Sequence, residues 1–142
     1  MPLADFHRLP GKTPHIESVL EAGEVVSAIM VPASPVARRS HYLKVRDRAS
    51  FEFAVVSAAV GLEMDGPRIR TARVARGGVG TKPWRGANVE AALVGVTLDP
   101  GALRGAAARA TQGARGHGHN DFKIELMQRA IVRAAETAGA RA

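Results

Sequence analysis

The stretch Ala54-Val55-Val56-Ser57-Ala58-Ala59-Val60-Gly61-Leu62-Glu63-Met64 runs through Asp65-Gly66-Pro67 into Ile69-Arg70-Thr71-Ala72-Arg73-Val74-Ala75-Arg76-Gly77. Side chains on a strand alternate between its faces, so Ala54, Val56, Ala58, Val60, Leu62 and Met64 share one apolar face. Asp-Gly is a turn dipeptide that links such a run to a second strand, here about Ile69 to Gly77. The result is an antiparallel hairpin with a core-facing and an outward-facing side.

Upstream, a strand from about Ser40 to Arg46 sets Leu43 and Val45 on one face and Tyr42, Lys44 and Arg46 on the other. Val25-Val26-Ser27-Ala28-Ile29-Met30-Val31, closed by Pro32, is a short β-branched run between breakers and reads as a further strand. Pro2 to Leu9 suits one or two helical turns, stopped by Pro10-Gly11.

Downstream the pattern turns helical. A short helix from Asn88 to Leu93 ends at Gly95. Asp99-Pro100 is an N-cap and first-turn pair for a helix to about Gln112. Asn120 is the expected cap of the last helix, where Ile124, Met127, Ile131 and Ala134 recur at three- and four-residue steps. Strands followed by helices give an α+β fold: an antiparallel sheet of three to four strands, then a bundle of about three helices. At 142 residues the expectation is a single domain over 1–142.

Composition narrows the function classes. There is no cysteine, which excludes disulfides, thiolate zinc, cysteine-held clusters and a cysteine nucleophile. No apolar run reaches the roughly 18 residues of a membrane span, and Met1–Leu9 lacks a signal pattern, so the expected compartment is the cytoplasm. The net charge of +7 comes from 20 Lys+Arg against 13 Asp+Glu. The cations are scattered, and one Trp, one Tyr and four Phe make a poor stacking platform, so nucleic acid is not an expected partner.

Several motifs invite chemistry and are weighed against plainer readings. Gly77-Gly78-Val79-Gly80-Thr81-Lys82 lacks the spacing of a phosphate loop and runs into Pro83, which favours a strand-end bend. His117-Gly118-His119, with only Asp121 near, is a weak metal motif and reads as a loop. His7, His15 and His41 are isolated, and Asp47 and Glu52 have no spacing that makes them a catalytic pair. No catalytic residue and no metal ligand is assigned. The row Tyr42, Lys44, Arg46 remains: a ring and cations on one sheet face, suited to a planar, electron-rich ligand or to solvent.

Five segments together carry a resemblance: Ala4-Asp5-Phe6-His7-Arg8-Leu9-Pro10-Gly11; His41-Tyr42-Leu43-Lys44-Val45-Arg46-Asp47-Arg48-Ala49-Ser50-Phe51; Gly77-Gly78-Val79; Lys82-Pro83-Trp84-Arg85; and Gly118-His119-Asn120 with Phe122-Lys123-Ile124-Glu125-Leu126. In this order they resemble the C-terminal domain of the FAD-binding medium subunit of molybdenum hydroxylases. That group holds the xanthine dehydrogenases, carbon monoxide dehydrogenases and aldehyde oxidoreductases, and the likeness is nearest to the last. It runs from about Leu3 to Ile131.

The resemblance implies an electron-transfer role in an oxidoreductase. A molybdenum centre in a large subunit oxidises the substrate, two [2Fe-2S] clusters in a small subunit relay electrons, and FAD in the medium subunit passes them to an external acceptor. This domain would form one wall of the flavin pocket and would not be catalytic alone. Lys44 matches a lysine that contacts the flavin in related enzymes, and Tyr42 matches an aromatic position near the ring; Arg46 shares their face without being a ligand. Arg76 and Gly80 depart from the aliphatic residue and alanine more usual there. The N-terminal FAD-binding subdomains that hold the pyrophosphate are missing from the sequence. The expectation is therefore a fragment or separately encoded half that binds FAD weakly by itself, with those subdomains and the large and small subunits as partners. A periplasmic location would need a partner's signal. The alternative is an orphan interaction module on the same scaffold, without flavin.

Overall fold

The computed structural model describes residues 1–140. The elements are α1 (Leu3–Phe6), β1 (Ser40–Val45), β2 (Val56–Asp65), β3 (Arg68–Gly77), β4 (Trp84–Arg85), α2 (Ala87–Leu93), α3 (Pro100–Ala107) and α4 (Phe122–Gly139), with 3-10 turns at Pro35–Ala37 and Ala108–Thr111. The four strands form one antiparallel sheet in the order β1-β2-β3-β4. The hairpin turns where the sequence places it. Asp65 pairs with Arg68, and Gly66 takes φ 55, the left-handed dihedral that a two-residue hairpin demands of its first loop residue.

Val56, Ala58, Val60 and Leu62 of β2 and Ile69, Ala72 and Val74 of β3 are buried on one face. α4 lies across β2 and β1, α2 packs on β3, and α3 packs against α4. The α4 stripe behaves as its periodicity predicts: Met127, Ile131 and Ala134 are buried and Ile124 is half-buried. Each large side chain enclosed this way contributes about 1.5–3 kcal/mol. Asp99 caps α3 by accepting the Ala102 N–H at 2.9 Å. The antiparallel sheet with helices on one face confirms the α+β reading.

Three expectations change. Residues 25–31 form no strand: Ile29 is 80% and Met30 91% exposed. The run has a strand's composition, but no neighbour in this chain pairs with it, and pairing is what makes a strand. The sheet's fourth member is instead β4, two residues that return to Ala75 and Arg76. Asn120 does not cap α4. Its side-chain oxygen accepts the His117 N–H at 2.6 Å, which closes the preceding loop. Asn88 likewise lies inside α2 rather than at its start; its amide donates to Arg109 O at 2.6 Å and ties α2 to the 3-10 turn after α3. Residues before 43 supply nothing to the buried cluster or its packed margin. No helix among the described residues is long and apolar enough to cross a membrane.

Candidate functional site

Helices cover one face of the sheet; the other carries no helix among the described residues and is crossed at Gly61 by the Pro35–Ala37 turn. Strand register lays three rows across this open face: Ser40–Gly61–Arg73, Tyr42–Ala59–Ala75–Arg85 and Lys44–Ser57–Gly77. The middle of each row is a small residue, so the floor is flat. Larger side chains stand at its margins, Tyr42 and Lys44 on β1 and Arg73 and Arg85 on β3 and β4. A shallow hollow of about 460 Å³ opens between Tyr42, Ala59, Gly61, Ala75 and Arg85.

Two of the small residues have local causes. A Cβ on Gly61 would stand 2.9 Å from the Val36 carbonyl oxygen, because the Pro35–Ala37 turn crosses over it. A Cβ on Gly77 would stand 2.6 Å from Ser57 Oγ.

Tyr42 and Lys44 share the face, as the period-two reading requires, and Tyr42 is 60% exposed. The Lys44 ammonium donates to the Glu52 carbonyl, which leaves two of its three donors for other acceptors. Arg46 lies just past the end of β1 and is exposed. The loop that follows is held by the Arg48 N–H on Glu52 Oε2 at 3.1 Å and the Arg48 guanidinium on Phe51 O at 3.3 Å.

The opposite margin rests on Glu90, a buried carboxylate in α2. Its Oε1 accepts the Val74 N–H at 3.0 Å. Past β4 the Gly86 N–H still donates to the Val74 carbonyl at 2.7 Å, but the Gly86 carbonyl accepts the Glu90 N–H at 2.8 Å, so the Glu90 carboxylate supplies the acceptor for the Val74 N–H. Arg85 grips the same carboxylate through Nε and a terminal nitrogen, both at 2.9 Å, and Arg73 stands 3.7 Å away. Burial pushes the Glu90 carboxyl upward. The Arg85 bonds, the Val74 N–H and the charges of Arg85 and Arg73 outweigh it, leaving Glu90 below the usual carboxylate range. Sequence reading missed this cluster. The small residues at 57, 59, 61, 75 and 77 were a visible signal for the floor, whereas the Arg85–Glu90 bracket depends on how α2 folds back on β3.

The other motifs resolve locally. Gly78 takes φ 74, and a Cβ there would meet the Val55 carbonyl at 2.7 Å, so the glycine run is a bend pressed against the start of β2. His117 and His119 are exposed in the loop before α4. Among the described residues, no three His, Cys, Asp or Glu side chains gather in a metal-holding group.

A half-covered antiparallel sheet with a flat, cation-rimmed outer face defines an α+β domain. The chain belongs to the CO dehydrogenase flavoprotein C-terminal domain family, whose description matches residues 40–138. The aldehyde oxidoreductase FAD-binding subunit PaoB of Escherichia coli (strain K12) is 43% identical over 142 residues, covering 99% of this chain and 41% of the relative. The carbon monoxide dehydrogenase medium chain of Afipia carboxidovorans is 30% identical over 129 residues, covering 88% of this chain and 44% of the relative. Among solved structures, the Cu,Mo-CO dehydrogenase superposes with a TM-score of 0.76 at 29% identity, over 89% of this chain and 46% of the other. Quinoline 2-oxidoreductase from Pseudomonas putida 86 does so with a TM-score of 0.65 at 28% identity, over 72% of this chain and 38% of the other. The chain spans less than half the length of each of these relatives.

Proposed function

We propose that this chain is the C-terminal module of the FAD-binding subunit of a molybdenum hydroxylase, a single domain over 1–142 that forms one wall of the flavin pocket. The observation that carries the reading is the row Tyr42–Ala59–Ala75–Arg85 beside Lys44: a flat floor bounded by a phenol and cations. That surface fits one face of an isoalloxazine ring. It offers no glycine-rich cradle for a pyrophosphate, so the rest of FAD belongs to the part of the subunit that relatives of twice this length possess.

When bound, FAD supplies the redox centre that relays electrons from partner subunits to an external acceptor. The chain's own residues would hold and tune the ring. Tyr42 would pack on its edge or face. Lys44 would set a positive charge beside it, favouring the reduced, more negative form and so raising its potential. Glu90 would hold Arg85 and Arg73 at the far margin. The partners are the N-terminal flavin-binding portion, a molybdenum-binding large subunit and a [2Fe-2S] small subunit, and the proposed compartment is the cytoplasm.

Co-expression with the proteins encoded beside this chain tests the reading. Assembly with flavin, iron and molybdenum supports it, and a chain that remains alone overturns it. In the assembly, Lys44→Ala lowers FAD content or the flavin potential. Unchanged FAD content together with an unchanged potentiometric titration would remove Lys44 from the site.

A further inference from the structure

On the helix-covered side of the sheet, away from the Tyr42 row, a second cleft of about 800 Å³ opens between the turn after β3, the loop after the Ala108–Thr111 turn and the start of α4. Two glycines in the left-handed region, Gly78 and Gly113, both at φ 74, bend the two loops that form its sides. Arg76, Arg115 and Lys123 line it from three different segments, with Trp84, Thr81 and His117. Among the described residues no Asp or Glu lines it, although the Asp121 carboxylate abuts Gly116 at its edge.

Arg76 is the unusual member. It faces the helix side, paired across the sheet with Ala58, where neighbouring positions are Val74 and Ala72. One terminal nitrogen donates to Ala110 O, and the guanidinium sits 5.4 Å from the centre of the Trp84 ring. Its Nε is buried without an acceptor. Burial alone pulls its pKa below the usual guanidinium value, since no anion works against that pull. Among the described residues, none of the five ion pairs involves Arg76, Arg115 or Lys123. Lys123 sits in the first turn of α4, the end of a helix where a cation is disfavoured. Its ammonium donates to the Gly78 carbonyl at 3.1 Å. Arg76 and Lys123 are half-buried and Arg115 is exposed; like charges gathered at one cleft without ion pairs favour an anion joining them.

We propose that this cleft binds a phosphate-bearing anion, with Arg76, Arg115 and Lys123 as its cationic ligands and Trp84 beside them. Guanidinium and ammonium groups together suit a phosphoryl group, which offers several acceptor oxygens to donors arriving from different directions. The volume leaves room for an organic portion next to the indole. The site lies on the opposite side of the sheet from the proposed flavin wall and stands or falls independently of it.

Trp84 is the chain's single tryptophan, so fluorescence excited beyond the absorption of Tyr42 is read at this cleft. The 142-residue chain is titrated with inorganic pyrophosphate, with adenosine diphosphate and with citrate, at constant ionic strength. Saturable change with both phosphates at millimolar concentration or below, and none with citrate, is the expected result; pyrophosphate alone would assign a free phosphate rather than a nucleotide. Arg76→Met and Lys123→Met each weaken the binding by roughly tenfold, the loss of a charge-assisted hydrogen bond. Arg129→Met removes an equal charge from the exposed side of α4 and leaves the titration unchanged. If Arg76→Met fails to fold, Lys123→Met and Arg115→Met carry the test. A linear response, equal response to citrate, or affinity indifferent to Lys123→Met and Arg115→Met overturns the proposal.

Discussion

Replacing Glu90 with alanine should destabilise the chain far more than replacing the arginine that grips it. Glu90 is 7% exposed and is the acceptor for the Val74 N–H, while Val74 itself is 1% exposed. Truncation removes the charged acceptor of that N–H, and a bond from a buried donor to a charged acceptor is worth about 1.5–3 kcal/mol. The Arg85 side chain is 62% exposed, so solvent screening reduces the ion pair to about 0–1 kcal/mol. The sum for Glu90→Ala is about 1.5–4 kcal/mol, a Tm drop of roughly 6–16 °C at about 4 °C per kcal/mol for a chain of this size. Arg85→Ala should cost about 0–1 kcal/mol. Thermal and urea unfolding followed by circular dichroism measure both. The pH dependence adds an independent check. The folded-state pKa of Glu90 lies below its ordinary 4.5, so its contribution is complete above that value and is lost as pH falls through the folded pKa. The gap between wild type and Glu90→Ala should therefore be widest near neutrality and close in acid. A Glu90→Ala chain no less stable than Arg85→Ala, or a gap that persists unchanged in acid, would refute the idea that Glu90 completes the sheet.

Gly61→Ala places a Cβ 2.9 Å from the Val36 carbonyl, and since backbone must move, it should cost about 1–3 kcal/mol in denaturant unfolding. Leu62→Ala empties a fully buried position of β2 and should cost about 2–5 kcal/mol by the same measurement. Ala59→Leu lies on the open floor, half-buried. It should change the isolated chain's stability by under about 1 kcal/mol, yet lower FAD content in the assembled subunit.

The hairpin was legible because period-two burial and an Asp-Gly turn are local properties of the chain. So was the Asp99 cap, whose acceptor and donor lie three residues apart. Residues 25–31 misled for the complementary reason: β-branched composition states a preference, whereas a strand exists only through a neighbour. β4 escaped notice because two residues have no periodicity, and it is defined solely by pairing with Ala75 and Arg76. At Asn120 two local bonds competed for one carboxamide, and the His117 N–H took it. The candidate site divides along the same line. Tyr42 and Lys44 were visible as one row of one strand; Arg73, Arg85 and Glu90 meet only after α2 folds back, across sequence separations that no short pattern records.

The open face also explains why the site is where it is. A solvated sheet face ordinarily gains from threonine and long polar side chains, while glycine and alanine weaken a strand there. This face nevertheless places Ser57, Ala59, Gly61, Ala75 and Gly77 side by side. Gly61 answers to Val36, and Gly77 to the Ser57 hydroxyl. Ala59 and Ala75, both half-buried, lie between Tyr42 and Arg85. Helices already bury the other face, so the hydrophobic core does not need them small. On the proposed function, a flat body lying against the centre row, with a phenol at one end and a guanidinium at the other, would favour residues this small.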